Sequence, residues 1–277
     1  MRVLITNDDG IESEGLHALV RAFAPVHEVV VLAPSDDRSA SSSALTVRSD
    51  IDVHAAPALL RMGAALAYHL NGTPATCVVL AACGTVVPRP DLVVSGVNPG
   101  PNLGCDVFLS GTVGAARVAT TLGIPGVAAS CRRDPAGPAW ETAARMALRT
   151  VELLGDGHLD TGGIGGRPPL VNINVPSLAP RSVVATTVAG YHVVEHTVIE
   201  QAAPSGNVGR RLRLELRAAV PQSLEPGTDA WAFFAGDTSV TVLDHPADRP
   251  APNDPSDLAC YLARHLVEEV SGAHNSR

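Results

Sequence analysis

The chain has 277 residues, 45% of them hydrophobic and only 3% aromatic, and carries a net charge of −8. That composition supports a sizeable core of Val, Ala and Leu, and the acidic balance argues against a nucleic-acid polymer or a polybasic membrane surface as partner. All 20 basic residues are arginine, which removes the lysine that a P-loop enzyme, a Schiff-base aldolase or a pyridoxal enzyme requires.

In chain order, Val3, Leu4 and Ile5 form a short apolar strand, and Gly10 ends it by admitting backbone angles other residues avoid. From Ile11 the spacing of Leu16, Leu19, Val20 and Phe23 predicts a helix. Residues 29–33 form a second apolar strand. Thr73-Pro74 starts a helix over 75–82, and "DLVVS" at 91–95 is another buried strand. Small residues over 112–121 predict a helix, 127–130 a strand, 138–154 a helix closed by Gly155, and 171–175 a late strand. This alternation predicts an α/β fold with a Rossmann-like, mostly parallel sheet.

After Pro180 the pattern changes. Residues 211–217 alternate arginine or glutamate with leucine, the period of a half-exposed strand, with 183–188 expected as its partner in a long projecting hairpin. The tail reads as a C-terminal helix N-capped by Ser256. "TGGIGGRPP" at 161–169 lacks nucleotide-loop spacing and is expected to be a loop. The division expected is one domain over 1–277, with its core at 1–180, an extended hairpin region at 181–235, and a return strand and helix at 236–277.

The five cysteines show no CxxC pair or zinc spacing and read as apolar fillers in a reducing compartment. With no leader before the first strand and no long apolar span, the expected location is the cytoplasm.

Three polar loops follow three of the strands: Asn7-Asp8-Asp9-Gly10, "APSDDRSASSS" at 33–43 and "SGVNPGPNLG" at 95–104. In a parallel sheet such loops share the carboxyl edge. Two adjacent carboxylates there repel each other unless a cation or proton intervenes. Asp8 and Asp9, with a serine hydroxyl and an asparagine carbonyl, form an all-oxygen set suited to Mg²⁺ or Mn²⁺, with Ca²⁺ as the alternative. "LSGTVGAARVATTLG" places Ser110, Gly111 and Thr112 at a helix start, where free N–H groups favour a phosphate. His192 and His196 align on either a helix or a strand, and zinc is a minor reading there.

The motifs "NDDGI", "DRSA", "NGTPATCV", "PDLVVSGVNPGPNLGCDVFLSGTVGAA", "VNINVP" and "SVTVL" occur in that order along the chain, and together they resemble the SurE family, the survival-protein nucleotidases. The resemblance implies a phosphomonoesterase acting on nucleoside 5′- and 3′-monophosphates, sometimes on short polyphosphate. It implies one divalent metal per subunit held by Asp8, Asp9, Ser39 and Asn98, with Asp8, Asp9 and Asn98 carrying the catalysis and Ser110, Gly111 and Thr112 contacting phosphate. It also implies a hairpin used for a homodimer or tetramer. Two further readings stay open, a phosphatase for a specialised metabolite and a non-catalytic nucleotide-binding regulator. Ala44, Thr76, Val118, Ala119 and Val242 depart from the family pattern. Thr76 and Val118, which replace carboxylates, are expected to alter substrate choice.

Overall fold

Val3 and Ile5 belong to one apolar cluster and Leu4 to another, so the first strand is buried on both faces, as an interior strand of a parallel sheet must be. A computed structural model describes residues 1–133, 137–155, 168–201, 210–219, 221, 223–243 and 255–272. The elements in order are β1 (Arg2–Thr6), α1 (Glu14–Phe23), β2 (Glu28–Pro34), β3 (Val53–Ala55), α2 (Pro57–Arg61), β4 (Leu66–Leu70), α3 (Pro74–Ala82) and β5 (Leu92–Pro99). A 3-10 turn (Gly104–Phe108), α4 (Gly111–Thr121), β6 (Gly126–Cys131), α5 (Trp140–Leu153), β7 (Leu170–Val175) and β8 (Val183–Ala185) follow. The chain continues with β9 (Val194–Gln201), β10 (Arg211–Ala218), α6 (Asp229–Ala235), β11 (Thr238–Val242) and α7 (Pro255–Gly272).

Nine strands form one sheet in the order β3-β4-β2-β1-β5-β6-β7-β11-β8. It is mostly parallel; β3 with β4 and β7 with β11 are the antiparallel pairs. Helices α1, α5 and α7 cover one face through Leu16, Phe23, Met146, Val151, Leu262 and Leu266. Helices α3 and α4 cover the other through Cys77, Val78, Ala81, Ala115 and Ala119. Each fully buried Val or Leu contributes roughly 1.5–3 kcal/mol, so these two clusters dominate the fold's stability.

The α/β expectation and the projecting hairpin stand. Several local expectations do not. The partner of β10 is β9, paired Leu214 to Val198, and the 183–188 segment instead adds β8 to the main sheet beside β11. Both segments carry strand-like residues, and the choice between them was a tertiary one. α1 starts at Glu14 rather than Ile11, because Gly10 at φ +94° and the Ser13 N–H bond to Gly10 O close a turn first. β5 runs past Ser95 to Pro99, since Asn98 and Pro99 find partners in β6 after a register shift at the intervening residues. α7 begins at Pro255, so Ser256 lies inside the helix and not at its cap, in keeping with proline's fixed φ at a first helical position. β3, β4, α2 and α6 are further elements that the sequence pattern does not predict. Residues 161–167 of the glycine-rich stretch and the 202–209 connection lie outside the described residues.

Cys77 and Cys131 are buried, as fillers would be, but Cys83 and Cys260 are exposed and Cys105 is half-buried; all five are free thiols. Among the described residues no helix is long and apolar enough to cross a membrane.

Candidate active site

The chain leaves β1 for β2 on one side and later returns through β5 on the other, so strand order reverses between β1 and β5. Ligands of doubly wound sheets bind in the crevice that such a reversal opens at the carboxyl ends of the strands. Asp8 and Asp9 follow β1 directly, Ser39 lies on the loop after β2, and Asn98 sits near the end of β5. The topology therefore brings the three loops to one edge.

Asp8 is 4% exposed. Its Oδ1 accepts the Thr112 hydroxyl at 2.5 Å and its Oδ2 accepts the Thr112 N–H at 3.2 Å, so the carboxylate is clamped onto the first turn of α4. Its backbone carbonyl also accepts the Arg38 N–H at 2.6 Å, which ties the serine loop to the β1 loop. Burial raises the Asp8 carboxyl above its ordinary range, the Thr112 bonds pull it back, and the charge of Asp37 adds to the rise.

Asp9 is treated differently. Its Oδ2 is buried with no hydrogen-bond partner. Burial, then the charges of Asp8 and Asp37, push this carboxyl up to about 7, with Arg133 pulling the other way. An unpartnered buried carboxylate oxygen is the place where a cation or a proton lowers the energy most. The Cys131 thiol, which feels the Asp9 charge, is pushed up to about 12 mainly by burial.

Ser39 is exposed; its hydroxyl and its N–H both donate to Asp37 Oδ1, at 2.6 and 2.7 Å. Asp37 is thus a third carboxylate at the site that the sequence reading passed over, although it stands only two residues from Ser39. Asn98 donates its amide N–H to Gly100 O at 2.6 Å, which leaves its carbonyl oxygen as the atom able to face a cation. Among the described residues no three His, Cys, Asp or Glu side chains gather as a ready metal cage. The candidate set has only two such ligands and completes itself with a hydroxyl and an amide.

The small residues of α4 are explained by the closeness of its approach. A Cβ on Gly111 would stand 2.6 Å from Ser41 Oγ and 2.7 Å from Asp8 Oδ2; one on Gly114 would stand 2.0 Å from Ser42 O. Ser110 caps the helix by accepting the Val113 N–H at 3.1 Å, which leaves its own O–H free to donate. Thr112, expected at phosphate, is engaged by Asp8.

Two polar networks brace this edge. Asn102, buried in the 95–104 loop, bonds to Asn174 Oδ1, Ser130 Oγ and the amide groups of Asn172 and Asn174 at 2.7–3.1 Å. That is the physical content of the "VNINVP" stretch. On the other side Thr76, 4% exposed, accepts the Thr46 N–H at 2.8 Å and meets Thr73 Oγ1 at 2.8 Å, while Thr73 donates to Ala44 O at 2.6 Å. Thr76 therefore anchors the serine loop, and Val118 packs among apolar side chains of the second cluster. The expectation that both shape substrate choice from within the site does not match where they point. His192 pairs through Nδ1 with buried Asp106 at 2.6 Å, and its ring meets His196 edge-on at 6.3 Å.

Residues 3–197 match the family model described as Survival protein SurE. The chain belongs to the SurE family. It is 39% identical to 5′-nucleotidase SurE 1 of Thermus thermophilus, with 88% of this chain and 91% of the relative covered. It is likewise 39% identical to the 5′/3′-nucleotidase SurE of Cronobacter sakazakii, over 88% and 90%. The solved SurE structure from Aquifex aeolicus superposes with a TM-score of 0.68 at 29% identity, covering 88% of this chain and 93% of that one. The family match runs from β1 into the start of β9 and contains every candidate side chain.

Proposed function

We propose that the chain is a metal-dependent phosphomonoesterase that hydrolyses nucleoside 5′- and 3′-monophosphates to nucleoside and phosphate. The observation that carries this reading is Asp9 Oδ2, buried and unpartnered beside Asp8, next to the N-terminus of α4. The names of the curated relatives, nucleotidases acting at the 5′ or 3′ position, support the substrate class.

The donors fit a hard divalent cation. Asp8, Asp9, Ser39 and Asn98 offer oxygen atoms only, the set suited to Mg²⁺ or Mn²⁺ with Ca²⁺ as the alternative, one per subunit. When bound, such a cation neutralises phosphoryl charge and lowers the pKa of a coordinated water. The rest falls to the chain. Thr112 holds Asp8 in one orientation. The Ser110 hydroxyl and the Gly111 N–H are the donors left at the start of α4 for non-bridging phosphate oxygens, since the Thr112 and Val113 N–H groups are held by Asp8 and Ser110. Asp8 and Asp9 are the carboxylates available to take a proton from an attacking water. No thiolate or lysine is required.

A single SurE-like domain over 1–277, a cytoplasmic location, a homodimer or tetramer joined through β9 and β10, and no nucleic-acid polymer or membrane as partner complete this reading. The test is phosphate release from AMP after chelation, then after return of Mg²⁺ or Mn²⁺. Activity should vanish and come back; full activity in excess chelator would refute the proposal. A panel of other phosphate esters shows whether a specialised metabolite is preferred.

A further inference from the structure

Of the chain's Phe, Tyr and Trp side chains, all in described positions, Phe108 is the only one in the exposed class, at 59%. It closes the 3-10 turn two residues before Ser110, and two residues of chain span at most ~7 Å. Its backbone is pinned: the Ser42 hydroxyl donates to Phe108 O at 2.6 Å and the Ser42 N–H to Leu109 O at 3.1 Å. One face of the ring is covered by the Arg117 guanidinium, 5.6 Å from its centroid, and Arg117 also donates to Val107 O at 3.4 Å. The result is a flat aromatic surface, held in place and backed by a cation, within a short reach of the turn assigned to phosphate.

We propose that the free face of Phe108 is the stacking platform for the nucleobase of the substrate, an inference that rests on the nucleotidase reading. A nucleoside monophosphate carries its base one ribose away from the phosphorus, a span of the same order as the step from Ser110 to Phe108. Every base has a π-face, so a platform of this kind selects for ring area and not for a hydrogen-bond pattern. Purines are then preferred over pyrimidines. The next residue, Leu109, is 39% exposed and apolar, so it brings no polar group that would distinguish adenine from guanine.

The experiment compares AMP, UMP and the base-free ester ribose 5-phosphate on the parent, Phe108→Ala, Phe108→Leu and Phe108→Tyr proteins. In the Ala and Leu variants KM for AMP should rise about tenfold, the loss of one base–aromatic stack. UMP should be affected less, ribose 5-phosphate should keep its kcat/KM, and Phe108→Tyr should restore AMP. If AMP and ribose 5-phosphate weaken together, or AMP does not change, the platform is wrong. It is equally wrong if the Ala variant alters only the oligomeric state in light scattering, since the ring is then covered by a second copy. A parent protein that hydrolyses ribose 5-phosphate and AMP equally well refutes the platform alone. One that hydrolyses none of the three refutes the nucleotidase reading and the platform with it.

Discussion

At Asp9 two requirements oppose each other: the side chain is buried, and it stands next to another carboxylate. Its carboxyl is therefore raised to about 7 from an ordinary 3.8 in the metal-free protein. The sign follows from the neutral form being the one the fold favours. Stability contributed by this group is complete below the unfolded value and is lost as pH rises through about 7. A cation has to displace the same proton, so Mn²⁺ affinity should climb with pH across that window and level off above it. Calorimetric titration at a series of pH values checks this, and a flat profile would contradict it. Asp9→Asn removes a charged ligand and should lower both metal affinity and turnover on the order of 100-fold, measured as Mn²⁺ binding beside AMP hydrolysis. Near-normal activity with metal still bound would overturn the assignment.

Among the elements, α4 and the serine loop are interlocked. Gly114→Ala would put a methyl group 2.0 Å from Ser42 O. Overpacking of this kind costs about 1–3 kcal/mol, so the variant should melt several degrees lower and lose activity, because the serine loop cannot seat. The two family departures should separate in the same assay. Val118→Glu places a carboxylate against apolar side chains and should destabilise by ~1–3 kcal/mol, while Thr76→Asp keeps an acceptor for the Thr46 N–H and should fold normally. Neither should reorder the substrates; a changed ranking would return Thr76 to the role the sequence suggested. The parallel strands were legible because Val3–Ile5 and the 29–33 run are short, apolar and punctuated, and because 171–175 alternates valine and isoleucine with asparagine at a strand's period. β3 and α2 were not, since three exposed residues and one helical turn carry little periodicity. The partner of β10 was misread because 183–188 and 194–201 are both strand-like, and pairing between distant segments leaves no local mark. At the site, Asp8 and Asp9 announce themselves by adjacency. Ser39 and Asn98 came only through family likeness, and Asp37 and the Asp8–Thr112 clamp depend on contacts between loops far apart in sequence.

On the scale of the whole molecule, β9 and β10 form a two-stranded sheet of their own, with Val198 at 62%, Leu212 at 53% and Leu214 at 63% exposure. Val198 and Leu214 are cross-strand partners, so they share one face. An isolated two-stranded ribbon is marginal in water, and a second subunit is the expected cover. Leu214→Arg with Val198→Asp should shift the protein toward monomer in light scattering at micromolar concentration; a parent that is already monomeric there would refute the idea. The Asp8–Thr112 clamp has a consequence for synthesis as well. Its partners are 104 residues apart, and at ribosomal rates Asp8 is translated roughly 5–20 s before Thr112. During that interval the two neighbouring aspartates have no helix terminus to lean on. The nascent chain must keep that corner hydrated, or borrow a proton or ion from the surrounding solution, until the other half of the clamp is translated.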